Sequence, residues 1–258
     1  EQDDRIASPS PLLLPGVAGT GKSTILQRRY SNLLNGSFDE NKFKEDTVYL
    51  TFNDRLAKET ESLIKSSLAP KLHGIVTQTI KSLLEFSKQI LIASGQIKEN
   101  EFISKNQVTY RVFFNWWKKR TKLKNYDPAL GWEDYRGVIR GSKESLDVEL
   151  GTLSKEHYVA LSRDRTACPK DERERFYDDM IGPFTSFVKE EKYDWDDQDL
   201  ARKMIQHFQK HPMYRNIFID EVQDLTELQL LSLLILVRKG DSCICSNTAN
   251  CACRIECP

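Results

Sequence analysis

Over the first hundred residues, short apolar runs alternate with stretches in which apolar positions recur at helical spacing, the pattern of βα units in a parallel sheet. Residues 11–15 predict a strand feeding a glycine-rich turn, and a helix is expected from Ser23 to about Leu34. Residues 47–52 are β-branched and aromatic and predict a buried strand, with Asn53 or Asp54 placed to cap the next helix. That helix carries Leu56, Leu63, Ile64 and Leu68, read as one apolar face. Residues 74–77 predict a third strand, and an amphipathic helix is expected from Thr79 with Ile80, Leu83, Leu84 and Leu91. Between about residues 99 and 211 the rhythm changes to helices separated by polar, glycine- or proline-containing connectors, which predicts an inserted all-helical subdomain. A buried strand over 216–220, an apolar helix over 225–237 and a last strand over 242–246 then close the parallel sheet around the insertion.

At 258 residues the chain is long enough for one large domain or two ordinary ones. Its 38 Lys+Arg balance 38 Asp+Glu, so bulk charge predicts no polyanionic partner, and any nucleic-acid contact must come from a local patch. No apolar run approaches the roughly 20 residues of a membrane helix, and no basic segment followed by an apolar one opens the sequence. The expectation is a protein without membrane contact, intracellular, with nucleus and cytoplasm undecided, whose opening Glu1 marks a cropped terminus. Of 6 cysteines, Cys168 stands alone while Cys243, Cys245, Cys251, Cys253 and Cys257 crowd the end, and the body of the chain is expected in a reducing compartment.

Chemistry concentrates at two places. Gly16, Val17, Ala18, Gly19, Thr20, Gly21, Lys22 and Ser23 fit the phosphate-loop pattern GxxxxGK[ST], between a predicted strand and a predicted helix. Glycines there let successive N–H groups turn toward phosphate oxygens, and the helix adds its positive end. Lys22 is expected to reach the β- and γ-phosphates and Ser23 to ligate Mg2+. The second place is the end of a later apolar strand, where Asp220 supplies a carboxylate for the metal and Glu221 a candidate general base.

The run from Gly16 to Thr24, followed far downstream by Phe218-Ile219-Asp220-Glu221-Val222-Gln223-Asp224, resembles the UvrD/Rep-like branch of superfamily 1 helicases. The resemblance implies an α/β fold, a RecA-like P-loop NTPase with a parallel sheet flanked by helices and an inserted all-helical subdomain. It divides the chain into the first part of the ATP-binding core (1–98, subdomain 1A), a 1B-like helical insertion (99–211), and the second part of the core with the Walker B motif and a cysteine-rich tail (212–258). It implies ATP and Mg2+ as cofactors, with Gln2 reading adenine, Gly16 through Thr24 around the nucleotide, and Gln223 sensing it. Thr51-Phe52-Asn53 looks like motif Ia and Val76-Thr77-Gln78-Thr79 is a loose match to motif Ib, so Phe52, Asn53 and Thr77 would lie along single-stranded DNA, with RNA as the alternative. Residues 132–141 and 193–200 are similar to large eukaryotic members of this branch.

The family also carries a second RecA-like core, expected here but absent from this chain, which is therefore expected to be a truncated piece. Ser246-Asn247 and Asn250 stand where family members have Gly-Asp and a γ-phosphate-sensing Gln. The resemblance implies an ATP-dependent helicase that couples hydrolysis to translocation on single-stranded nucleic acid in an intact protein. The alternative is a catalytically impaired ATP-binding fragment or interaction module.

Weaker features have quieter expectations. Trp116 and Trp117 stand beside Lys118, Lys119, Arg120, Lys122 and Lys124, the combination of rings and cations that a single-strand groove uses; on a helix, however, the two rings diverge by about 100°, so one is expected to pack inward while the cations are solvated. Asp194, Asp196, Asp197 and Asp199 read as a turn into a capped helix, since the glycine and terminal Glu of a calcium loop are missing. His73, His157, His207 and His211 form no ligand pattern, and the terminal CxC pairs are a poor match to zinc-ribbon spacing.

Overall fold

The computed structural model describes residues 12–15, 19–37, 39–120, 126–148 and 151–247. The chain divides into two compact units, one of residues 1–96, 204–225 and 230–258, the other of 97–203 and 226–229.

The first unit is a parallel sheet of five strands, β1 (Leu12–Pro15), β2 (Thr47–Thr51), β3 (Ile80–Ser82), β4 (Tyr214–Ile219) and β5 (Val237–Asn247), in the order β1-β5-β4-β2-β3. All pairings are parallel, with Leu12 opposite Ile244, Leu50 opposite Ile219 and Thr51 opposite Ser82. The strands therefore finish along one edge, and each following loop emerges there, where open α/β sheets bind ligands. Helices α1 (Lys22–Asn35), α2 (Glu40–Asp46), α3 (Asp54–Ser66), α4 (His73–Thr79) and α5 (Leu83–Ala93) belong to the same unit.

Every residue of β2 is buried, as a strand covered on both faces requires. Leu26, Tyr30 and Leu34 recur every four residues along α1 and pack with Phe43, Tyr49, Ile75, Val76 and Phe218 into one core. Each fully buried side chain of this kind stabilises the fold by about 1.5–3 kcal/mol, so Leu26→Ala would be among the most damaging single truncations here.

Two expectations about α3 and β3 need correction. Leu63 is 59% exposed, and the buried face of α3 is Ala57, Thr60 and Ile64. Asn53 fixes that phase by capping the helix, its side chain accepting from the Leu56 N–H at 3.0 Å. Residues 74–77 form the middle of α4, and the strand is the short Ile80–Ser82 that follows. The β-branched residues there invite a strand reading, but Ile75, Val76 and Thr79 bury at helical spacing after a turn opened by Pro70. The last strand is longer than its apolar part, with Arg238 at its start ion-paired to Asp46 at 2.8 Å.

The second unit is built from α6 (Tyr110–Lys118), α7 (Pro128–Glu133), α8 (Lys155–Ala160), α9 (Arg173–Phe176), α10 (Gly182–Glu190) and the first turns of α11 (Asp197–Phe208) and α12 (Glu227–Leu234), with π-helical turns over Asp134–Ile139 and Tyr177–Ile181. Its core is aromatic: Phe113, Trp116, Tyr135, Tyr158, Phe176 and Phe184 bury together with Ile139, Met180 and Ile181. Phe184 meets its neighbours edge to face, Phe113 at 4.9 Å and Tyr135 at 4.8 Å, while Tyr158 and Phe176 stack at 6.3 Å.

Asp196 and Asp199 cap α11 reciprocally: Asp196 accepts from the Gln198 N–H at 2.9 Å, while Asp199 accepts from the Asp196 N–H at 2.8 Å. Arginines complete the cluster. Arg140 donates to Asp196 and Asp199, each at 2.7 Å, and Arg136 donates to Asp197 at 2.7 Å and Gln229 at 3.0 Å. The segments 132–141 and 193–200 are thus joined by charge-assisted bonds.

Candidate functional site

The loop after β1 reaches α1 through two left-handed glycines, Gly19 at φ 81° and Gly21 at φ 80°, the latter directly before the first helical residue. That region favours glycine, because a Cβ there crowds the following carbonyl. No side-chain hydrogen bond caps α1, whose N-terminus is the helix's positive end, where an anion is favoured. Lys22 is the first residue of α1 and is buried, Ser23 is half-buried, and Thr20 and Thr24 are exposed. Gln2, Gly16, Val17 and Ala18 lie outside the described residues.

At the end of β4 the Asp220 N–H still bonds to the Leu50 carbonyl at 2.9 Å, and its carboxylate is held on both oxygens. Ser23 Oγ donates to Oδ1 at 3.0 Å and Tyr49 Oη to Oδ2 at 3.2 Å. The Glu221 N–H also reaches Oδ1, at 3.1 Å. The phosphate-loop serine and the strand-end acid are therefore bonded across a separation of 197 residues. Their strands are not neighbours: β5 lies between β1 and β4.

Glu221 takes the left-handed conformation, φ 56° and ψ 46°, and starts the 3-10 turn Val222–Asp224. Its carboxylate accepts from Gln223 Nε2, and its carbonyl accepts from the Asp224 N–H at 3.0 Å. Ser23, Asp220, Glu221 and Gln223 thus form one polar cluster at the sheet edge, with Lys22 next to Ser23 in the chain.

Tyr49 is the member that the sequence did not announce. Burial pushes its phenol well above the ordinary tyrosine range, and the neighbouring carboxylates of Asp220 and Glu221 push the same way. It stays neutral and therefore donates to Asp220. Phe218 stacks on its ring at 6.0 Å, and Tyr30 meets it edge-on at 5.8 Å.

The family model of the UvrD/REP helicase N-terminal domain matches residues 1–246. The chain belongs to this family. It is a UvrD-type helicase ATP-binding domain, and its parallel α/β sheet is that of a RecA-like core. The chain is also similar to TPR and ankyrin repeat-containing protein 1 of Homo sapiens, 28% identical over 141 residues that make up 52% of this chain and 5% of that protein. The chain thus spans a small part of that relative's length.

UvrD-like helicases use ATP with Mg2+, and the residues present suit the ion. A hydroxyl and a carboxylate oxygen 3.0 Å apart are hard donors of the kind Mg2+ accepts, one or two from protein with phosphate and water completing the shell. Among the described residues no group of three or more His, Cys, Asp or Glu gathers into a metal cage.

The other expected contacts are dispersed. Phe52 and Asn53 follow β2 at the same sheet edge, Phe52 half-buried and Asn53 exposed, with one Asn53 oxygen engaged as the cap of α3. Thr77 sits on the exposed side of α4, its hydroxyl donating to Glu61 at 2.8 Å. Trp116 is 2% exposed and Trp117 half-buried, so one ring does pack inward. Lys122, Lys124, Asn250, Cys251, Cys253 and Cys257 lie outside the described residues. Cys168 is buried, its thiol pushed up to about 11 by burial, which makes it inert as a nucleophile. No described helix is long and apolar enough to cross a membrane.

Proposed function

We propose that this chain binds ATP with Mg2+ and hydrolyses it in response to single-stranded DNA, as the first motor core of an intracellular helicase. The observation that carries this reading is the 3.0 Å bond from Ser23 to Asp220, which joins the phosphate loop to the strand-end acid. Lys22, at the start of α1, is suited to hold the β- and γ-phosphates, and the amides from Gly16 to Thr24 to cradle them. Ser23 and Asp220 would hold Mg2+, which when bound neutralises charge on the phosphate oxygens. Glu221 is the base for the attacking water, oriented by Gln223, and Gln2 reads the adenine. Phe52, Asn53 and Thr77 would contact the strand, DNA or RNA. Residues 1–98 and 212–258 would form subdomain 1A and 99–211 a 1B-like insertion, with a second RecA-like core working against them.

Phosphate release by the 258-residue chain, with and without oligo(dT), tests the reading. Lys22→Ala should lose nucleotide binding, and Glu221→Gln should keep binding while losing turnover. Nucleotide binding with no turnover in the unsubstituted chain would show an impaired ATP-binding module instead. Turnover indifferent to single strands would remove the helicase part of the proposal.

A further inference from the structure

We propose that the outer face of α6, carrying Tyr110, Phe114 and Trp117, is a stacking platform for single-stranded nucleic acid, separate from the contact assigned above to Phe52, Asn53 and Thr77. It rests on the preceding reading only in its choice of partner.

Positions 110, 114 and 117 share one helix face by their spacing of four and three. Tyr110 and Phe114 lie 5.7 Å apart with an interplanar angle of 27°, and Phe114 and Trp117 6.0 Å apart at 8°. The rings form a nearly parallel row. On the inner face Phe113 and Trp116 are buried and meet Phe184 at 85° and 61°. Tyr110 is 40% exposed, Phe114 is half-buried and neither belongs to the aromatic core of its unit; Trp117, half-buried, closes the row by packing against that core. Partly open rings offer flat π-faces that any base can cover.

Charge names the occupant. Between residues 108 and 120 there is no Asp or Glu, while Arg111, Lys118, Lys119 and Arg120 are all cationic, in a chain whose charges balance overall. Lys118 Nζ lies 4.5 Å from the centre of the Phe114 ring, and Arg111 shares that face by helical spacing. Cations beside a row of stacked rings match the alternating phosphates and bases of a single strand. A duplex hides its base faces, and an acidic peptide would use the cations and leave the rings without partners.

The test is binding of a fluorescent oligo(dT) of about 20 nucleotides to the 258-residue chain, followed by anisotropy over a salt series. Tyr110→Ala/Phe114→Ala should weaken binding by about 10-fold or more, and Lys118→Ala should lower the salt slope by about one. Fluorescent-ATP affinity should stay the same in both. Should the double variant fail to fold, Tyr110→Ala and Lys118→Ala singly carry the same comparison at exposed side chains. Affinity and salt slope both unchanged within twofold would overturn the proposal. So would binding of poly-glutamate that the double variant loses while keeping oligo(dT), which would give the face to an acidic protein. If Phe52→Ala alone abolishes oligo(dT) binding and the α6 variants do nothing, this inference falls while the proposed function stands. The opposite pattern keeps the platform and removes the Phe52 contact.

Discussion

Tyr49→Phe deletes a single oxygen from the Asp220 clamp and leaves the ring where it is, held by Phe218 and Tyr30. A hydrogen bond to a charged group contributes about 1.5–3 kcal/mol, and at 3.2 Å this one belongs at the weak end. Asp220 keeps two donors, Ser23 Oγ and the Glu221 N–H, so it remains buried without being orphaned. The expected loss of stability is therefore about 1.5 kcal/mol, read from urea unfolding. A larger effect is expected on the metal, because partners that orient a ligand change metal affinity by about 10- to 100-fold when removed. With Ser23 still in place the lower figure applies: half-saturating Mg2+ for fluorescent-ATP binding should rise about 10-fold, while binding in EDTA stays the same. A shift under twofold, beside a clear shift in Ser23→Ala, would show that Tyr49 does not orient the metal-side oxygen.

Arg140→Met removes the guanidinium that Asp196 and Asp199 share and leaves Arg202, 3.3 Å from Asp199, as their remaining cation, so the helical unit should be destabilised by about 3 kcal/mol in urea unfolding; a loss below about 1 kcal/mol would make the network dispensable. Gly141→Ala would place a Cβ 2.5 Å from the Arg136 carbonyl and 2.8 Å from the Thr226 Cβ, so a fall of about 1–3 kcal/mol is expected, and an unchanged thermal midpoint would contradict that contact. Burial pushes the phenols of Tyr30 and Tyr214 up to about 12 and that of Tyr49 well above its ordinary value. Unfolded tyrosines ionise near 10, so the contribution of these groups is complete below about pH 10 and is lost as pH rises toward 12, at about 1.4 kcal/mol per pH unit for each. Tyrosinate absorbance should then appear together with loss of circular dichroism; ionisation of these groups in a still-folded chain would refute the assigned burial.

The strongest sequence signals were those in which one residue type solves a local problem. Glycines at 19 and 21 announce positive φ, and Asn53 announces a cap, because both requirements are met within a few residues. Residues 74–77 misled because β-branched side chains suit a strand, whereas helix α4 is imposed by the core that receives Ile75, Val76 and Thr79. Leu63 was read inward for a related reason: apolar spacing defines a stripe, and the cap at Asn53 decides which stripe faces the sheet. Tyr49 was hidden in a strand buried throughout, where every position reads as core and nothing marks the one with a hydroxyl at Asp220. Asp196 and Asp199 signalled their cap, but Arg140 lies more than fifty positions away in sequence, and only folding brings it there.

The two neighbouring acids at the end of β4 are held by different things, and the backbone explains how. Successive residues of a strand point to opposite faces, but the strand stops at Ile219 and Glu221 turns into the left-handed region, which costs a residue with a Cβ about 1–2 kcal/mol. That cost is offset locally, since the Glu221 amide bonds to Asp220, its carbonyl to Asp224 and its carboxylate to Gln223. Asp220 is thereby fixed by the core, through Tyr49, and by α1, through Ser23. Among these bonds the Glu221 carboxylate is held within its own turn, by Gln223. An acid that holds a metal needs a fixed position, whereas one that takes a proton gains from a position that can respond to nucleotide. In the proposed roles the strained residue is the base, and a side chain that holds its carboxylate is the one assigned to sense ATP, so a shift of Gln223 on nucleotide binding would act on the proton acceptor.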